Sequence, residues 1–252
     1  MDQPHENVKV FGAALDPIDN PIKVLAKCSY INRLAQGLVS DSEYADPYDG
    51  LINKSDVLKS SKFKKIGKIQ VESWLTPRPN VDDFHALNPA NFQKFVNMGG
   101  VREYAERVEK YVEINILPDV PLMIGADHAL TGGVLSALAK RYGSSNILVI
   151  VVDAHFDAIP ASISLDLARF ARDHEQEVKA LIKTDGLDSG LEIVDTYTCA
   201  SYLDYLIEEE IIFPENLIIF GCQDYPGEQL RAESDPRAKN FVDRYFSYEK
   251  MG

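Results

Sequence analysis

The sequence predicts an α/β fold in which a mainly parallel sheet lies between two layers of helices. Short apolar segments alternate with longer segments of helical periodicity along the 252 residues, as in consecutive β-α-β units. One segment, residues 147–152, is a run of apolar, mostly β-branched residues. A continuous apolar run of this kind predicts a strand buried on both faces, which is typical of parallel sheets.

The strand segments share an apolar run that ends near Pro, Gly or Asp. They are residues 8–16, 66–75, 118–124, 147–152 and 217–221, with a shorter candidate at 191–194. The helical segments instead place apolar residues three and four positions apart. They are residues 22–38, 101–115, 129–142 and 201–212, with amphipathic stretches at 162–183 and 238–248. Residues 39–61 are polar, and we expect them to form a surface connection.

The composition fits one α/β domain that spans residues 1–252. A net charge of −13 argues against nucleic-acid and anionic-membrane partners and favours cationic ligands or metal ions. No window approaches the ~18 apolar residues of a membrane span, and the N-terminal residues lack signal-peptide character. Cys28, Cys199 and Cys222 are widely spaced, which suits a reducing compartment. We therefore expect a cytoplasmic protein.

Polar residues follow two neighbouring predicted strands. His128 comes shortly after the third strand, and Asp153, His155 and Asp157 follow the fourth. The carboxyl ends of parallel strands meet where α/β sheets bind ligands, and alternate residues point to one side while the chain stays extended. Imidazole and carboxylate donors without thiolate favour Mn²⁺ or Mg²⁺. The alternative is that these are ordinary polar loop residues, but their shared position at strand ends favours a metal site.

These residues resemble the arginase/agmatinase (ureohydrolase) family. Residues 125–128, Gly-Ala-Asp-His, look like its Gly-Gly-Asp-His motif with one glycine replaced, and residues 153–157, Asp-Ala-His-Phe-Asp, match its second motif in full. Residues 214–221 are similar to the family's Pro-Glu-Asn-hydrophobic-Gly strand. The resemblance implies a three-layer α/β/α fold, two bound Mn²⁺ ions, and hydrolysis of a guanidino or amidino C–N bond to urea and an amine.

The resemblance also implies a role for each residue. His128 and Asp157 would bind one ion, His155 the other, and Asp153 both, so that Asp153 and His155 are the catalytic candidates as well as metal ligands. The implied substrate is a small cationic guanidino compound. The implied assembly is a homo-oligomer.

The sequence departs from the family pattern at the later metal motif. The family's Ser-x-Asp-x-Asp motif completes both metal shells, and no such pair follows the strand at 217–221. Asp224, Asp235 and Asp243 have neither its spacing nor its strand context. We therefore expect an incomplete domain at its C-terminal end: either a fragment, or a subunit whose missing ligands come from a second chain.

Two further departures concern the substrate side of the site. The family usually carries a His-Gly pair after its second motif, whereas the matching residues 197–201 contain no histidine. His174 lies in a charged amphipathic run and is predicted to face solvent on a helix. Residues 162–190 occupy the place of the family's substrate-specificity loop, so a standard arginine or agmatine pocket is not assumed.

Two other functions remain open at this point. One is a non-catalytic metal-binding relative, or an incomplete subunit that needs another chain. The other is a different metal-dependent amide hydrolase, such as a deacetylase, with a single Zn²⁺. Metal content separates them, because a hydrolase of the ureohydrolase kind is expected to hold two Mn²⁺ ions.

Overall fold

The computed structural model describes residues 7–17, 21–39, 46–158 and 197–223. Its strands are β1 (Val8–Ala13), β2 (Phe63–Lys68), β3 (Val120–Gly125), β4 (Val149–Val152) and β5 (Leu217–Phe220). Its α-helices are α1 (Pro21–Ala35), α2 (Pro47–Lys54), α3 (Pro89–Asn97), α4 (Gly100–Asn115), α5 (Thr131–Tyr142) and α6 (Tyr202–Glu208). The alternation of strands and helices confirms the predicted α/β class. None of these helices is long and apolar enough to cross a membrane.

The described strands form two sheets, and every pairing between them is parallel. The first sheet has the order β2-β1-β3, and the second consists of β4 and β5. β1 pairs with β3 along its whole length, from Val8 opposite Val120 to Ala13 opposite Gly125. Among the described strands no backbone ladder joins β3 to β4. Contacts other than strand pairing must therefore hold together the two strand ends that carry the candidate site.

Both faces of the first sheet are covered by helices. Phe11 of β1 lies in the main core together with residues of α4, and its ring centroid is 5.4 Å from that of Tyr111. Val10 belongs to a second apolar cluster on the α2 side, which includes Tyr48. A Cβ added at Gly12 would lie only 2.7 Å from the Tyr48 Cβ, so glycine lets α2 pack closely here. Helix, sheet and helix thus form the three predicted layers.

Helix α2 lies within the stretch that we predicted as a surface connection. Asp46 caps its first turn by accepting a hydrogen bond of 2.9 Å from the Asp49 N–H, and Pro47 starts the helix. The carboxylates of Asp46 and Asp49 also bind the ammonium group of Lys68 in β2, at 2.8 and 2.6 Å. The prediction was wrong because this helix is short and polar, and it depends on capping and on one buried residue, Tyr48.

The central apolar segment is less buried than its sequence predicts. Val149 belongs to the main core, but the side chains of Leu148, Ile150 and Val152 are 61%, 56% and 81% exposed. The prediction of a strand buried on both faces is therefore wrong for the described part of the chain. An apolar run indicates that a strand is hydrophobic, but it does not show whether other elements cover that strand. Here described residues cover only one face of the β4–β5 pair.

Helices α4 and α5 pack closely at Gly133, where a Cβ would collide with the carbonyl oxygen of Ala105. Helix propensity alone would make Gly133→Ala stabilising by about 1 kcal/mol. We expect the variant to be destabilised by roughly 1–3 kcal/mol instead, because the collision is with backbone that has no room to move. Denaturant unfolding measures the sign of the change. A more stable variant would contradict the close helix crossing.

Candidate metal centre

Two loops bring three of the four predicted metal ligands together. His128 begins the short 3₁₀ turn His128–Leu130 that follows β3. Asp153 and Asp157 lie in the loop that follows β4. Ligand atoms of His128, Asp153 and Asp157 all lie within 4.8 Å of one another. This group is called the His-Asp-Asp cluster below.

The imidazole of His128 lies between the two carboxylates. Its Nε2 is 3.2 Å from Asp157 Oδ2, and its Nδ1 is 3.6 Å from Asp153 Oδ2. The Asp157 side chain is only 4% exposed, and its Oδ2 atom is shielded from solvent without a well-aligned hydrogen-bond donor among the described residues. A buried carboxylate oxygen without a donor is destabilising. A cation placed among the three side chains would satisfy it, so the cluster fits a metal ion.

Asp157 reaches the cluster through a turn of the backbone. β4 ends at Val152, and Asp157 has a φ of 55°, in the left-handed region that side chains other than glycine rarely adopt. The N–H of Leu203 donates a hydrogen bond of 3.3 Å to the Asp157 carbonyl. The extended backbone that would place alternate residues on one side therefore does not continue beyond the strand.

His155 lies outside the cluster. Its side chain is 70% exposed, and its Nδ1 is 3.2 Å from Asp153 Oδ1. Its backbone N–H also donates to that oxygen, at 3.0 Å. Among the described residues His155 contacts the carboxylate that we expect to bridge two ions, and its assignment as the ligand of a second ion stays a prediction.

The charges within the cluster stabilise one another. Close contact with the Asp157 carboxylate, and then with Cys199, raises the pKa of His128 to about 11. Burial opposes the ionisation of Asp153, but the N–H of His155 and the positive charge of His128 outweigh it and lower the Asp153 pKa. The proton on His128 therefore supplies the positive charge that a metal ion would replace.

The turn at residues 197–203, which runs into the start of α6, packs against the cluster. The sequence predicted a helix from residue 201 but no contact between this turn and the cluster. The Cys199 carbonyl oxygen is 3.1 Å from His128 Nε2, although the two residues are 71 positions apart. The ring centroid of Tyr202 is 5.6 Å from that of the imidazole, and burial, followed by the nearby carboxylates, raises the Tyr202 pKa. A sequence feature that could have indicated this contact is the position of the turn, which corresponds to the family's His-Gly pair.

Several predicted features lie outside the described residues. They are the stretch 162–190 with His174, the segments 191–194 and 238–248, and the three aspartates Asp224, Asp235 and Asp243.

A family model described as "Arginase family" matches residues 44–249 of the chain. The chain belongs to the arginase family. This confirms the resemblance carried by the two metal motifs. The arginase of Staphylococcus aureus (strain COL) is 25% identical over 198 residues, which cover 77% of this chain and 55% of that protein. The chain thus spans about half the length of the curated arginases that it matches.

Solved structures give more distant likenesses. The proclavaminate amidino hydrolase of Streptomyces clavuligerus is 18% identical, with a TM-score of 0.41, and the match covers 99% of this chain and 62% of that one. A hypothetical agmatinase from Burkholderia thailandensis is 15% identical, with a TM-score of 0.39, and the match covers 88% of this chain and 51% of that one. The family assignment depends on the family model and not on these likenesses.

Metal binding at the cluster should release protons. His128 keeps its proton up to a pKa of about 11 in the metal-free protein, whereas an imidazole must be neutral to bind a metal ion. At pH 7 we expect the first Mn²⁺ to release about one proton, and its affinity to rise with pH. Titration calorimetry in two buffers of different ionisation enthalpy counts the protons. A release near zero would contradict the charged state of His128.

Removal of the imidazole should abolish tight binding. We expect His128→Ala to weaken Mn²⁺ binding by more than about 100-fold, because loss of a partner that only supports a ligand already weakens it by 10–100-fold. His85→Ala is the matched control, since it removes an exposed imidazole that is not in the cluster. The assignment of His128 as a metal ligand is contradicted if His128→Ala binds Mn²⁺ as tightly as His85→Ala and the parent protein do.

Proposed function

We propose that this chain forms the metal-binding part of a hydrolase that cleaves a guanidino or amidino C–N bond and releases urea and an amine. The observation that carries the proposal is the convergence of His128, Asp153 and Asp157 from two loops into one cluster. Membership of the arginase family supports the hydrolase class. The name of its curated relatives, arginase, supports a cationic guanidino substrate.

Manganese is the cofactor that the donor set favours. His128, Asp153 and Asp157 would hold one ion, and His155 would serve a second one beside Asp153. The orientation of Asp153 supports one ion on each side of its carboxylate, because its Oδ2 faces His128 while its Oδ1 faces His155. Imidazole and carboxylate donors without thiolate suit Mn²⁺. When bound, two such ions would supply the Lewis acidity that makes water nucleophilic near neutral pH.

The remaining contribution of these residues is electrostatic and positional. In the metal-free protein the two carboxylates of the cluster attract metal ions to the ends of β3 and β4. The net charge of −13 attracts cations, including a cationic substrate, over longer distances. His128 must give up its proton before an ion binds. Asp157 is buried, which shields its charge from water and strengthens its interaction with any cation placed beside it.

A second candidate is a metal-binding relative or an incomplete subunit that another chain completes. The number of ligands favours it, because only three ligand groups converge within the described residues. In this case the chain would bind one ion and would hydrolyse substrate only in a complex.

Metal content and urea release together test the proposed function. We expect the purified protein, with any polypeptide that copurifies, to hold close to two Mn²⁺ ions per chain and to release urea from at least one compound in a panel of guanidino compounds. Asp157→Asn is the matched variant, since it keeps the shape of the side chain but removes its charge. We expect it to lose both the bound metal and the release of urea.

The outcomes separate the two candidates. Bound Mn²⁺ without release of urea or ammonia from any compound would reject the hydrolase and favour the incomplete subunit. Absence of bound Mn²⁺ would reject the hydrolase and would favour a purely structural role for the chain. Activity on acetylated amines with a single Zn²⁺ would instead identify the deacetylase kind of hydrolase.

A further inference from the structure

One turn contacts both loops of the His-Asp-Asp cluster. The hydroxyl of Tyr197 donates a hydrogen bond of 2.9 Å to the carbonyl of Ala129, the neighbour of the cluster's imidazole. At the other end of the turn, the N–H of Leu203 donates to the Asp157 carbonyl at 3.3 Å. Because no backbone ladder joins β3 to β4 among the described strands, residues 197–203 bridge two loops that strand pairing leaves unconnected.

Between these anchors the Cys199 carbonyl contacts the imidazole directly. It lies 3.1 Å from His128 Nε2. A carbonyl oxygen can only accept a hydrogen bond, so it favours a hydrogen on Nε2. The Nδ1 atom, which faces Asp153, is then the nitrogen left to bind a metal ion. Histidine ligands of metals are generally oriented by such a bond from their other ring nitrogen.

Ser201 closes the turn that carries this carbonyl. Its side chain is fully buried, and its hydroxyl oxygen accepts a hydrogen bond of 3.0 Å from the Thr198 N–H. The Ser201 N–H in turn donates to the Thr198 carbonyl at 3.2 Å. The Ser201 carbonyl accepts from the N–H of Tyr205 at 3.2 Å. The same residue therefore fixes both the turn and the first turn of α6.

We propose that Ser201 is a positioning residue for the metal centre. By closing the turn, it holds the Cys199 carbonyl against His128 and the Leu203 N–H against the Asp157 carbonyl. The left-handed backbone of Asp157 is consistent with this role, because such a conformation persists only where its surroundings hold it. The inference rests on the proposed metal site, but it assigns Ser201 no contact with metal or substrate.

Ser201→Ala tests the role, since it removes one hydroxyl and adds no volume. We expect the affinity of the full chain for Mn²⁺ to fall by about tenfold or more, while the melting temperature of the metal-free protein stays close to that of the control. Ser136→Ala is the control, because Ser136 is also buried and its hydroxyl donates within α5, to the Gly132 carbonyl at 2.9 Å. Titration calorimetry with Mn²⁺ alone measures the affinities.

Each outcome decides the matter. A Ser201→Ala variant that binds Mn²⁺ as tightly as the parent overturns the positioning role. An equal loss of Mn²⁺ affinity in Ser201→Ala and Ser136→Ala also overturns it, because an equal loss reports a general destabilisation of the fold. In both cases, Mn²⁺ binding by the parent protein remains consistent with the proposed hydrolase. A parent that binds no Mn²⁺ overturns both proposals.

A second variant covers the case in which Ser201→Ala does not fold. Tyr197→Phe removes only the hydroxyl that anchors the turn to the Ala129 carbonyl. We expect it to weaken Mn²⁺ binding in the same direction as Ser201→Ala. Unchanged affinity in a folded Tyr197→Phe protein overturns the bridging role of the turn.

Discussion

The contact between His128 and Asp157 is the constraint on which the rest of the site depends, because it joins two loops whose strands are not paired with each other in the described structure. Packing must therefore bring the loops together. Helix α5 follows His128 directly, and a Cβ at Gly132 in its first turn would collide with the Tyr197 hydroxyl. Glycine at this position lets the turn at 197–203 reach the β3 loop. The geometry of the cluster is thus a product of helix and turn packing rather than of sheet register.

The electrostatics of the cluster follow from this contact. A buried Asp157 carboxylate requires a nearby positive charge, and in the metal-free protein the proton on His128 supplies it. Because a metal ion would bind at Nδ1 of this imidazole, the ion and the proton on that nitrogen compete for one place. Asp153 differs in that its two oxygens face different histidines, which explains how one residue could serve two ions.

The sequence predicted the parts of the site that lie close together along the chain. The apolar runs before His128 and Asp153 mark parallel strands, and polar residues directly after such strands are expected to converge. They do converge, although the two strands lie in separate sheets of the described structure. The contacts of Cys199 and Ser201 were not predicted, because a carbonyl oxygen leaves no mark on a residue pattern and the turn lies far from His128 in sequence. The exposure of Val152 was not predicted either, because burial depends on neighbours and not on the strand's own residues.

Anomalous diffraction at the manganese absorption edge, from crystals grown with Mn²⁺, tests the central claim most directly. The account predicts a peak within coordination distance of one nitrogen of His128 and of carboxylate oxygens of both Asp153 and Asp157. A second peak between Asp153 and His155 would extend the site to two ions. Full-occupancy peaks elsewhere on the molecule, with none at these three side chains, would contradict the assignment of the cluster as a metal centre.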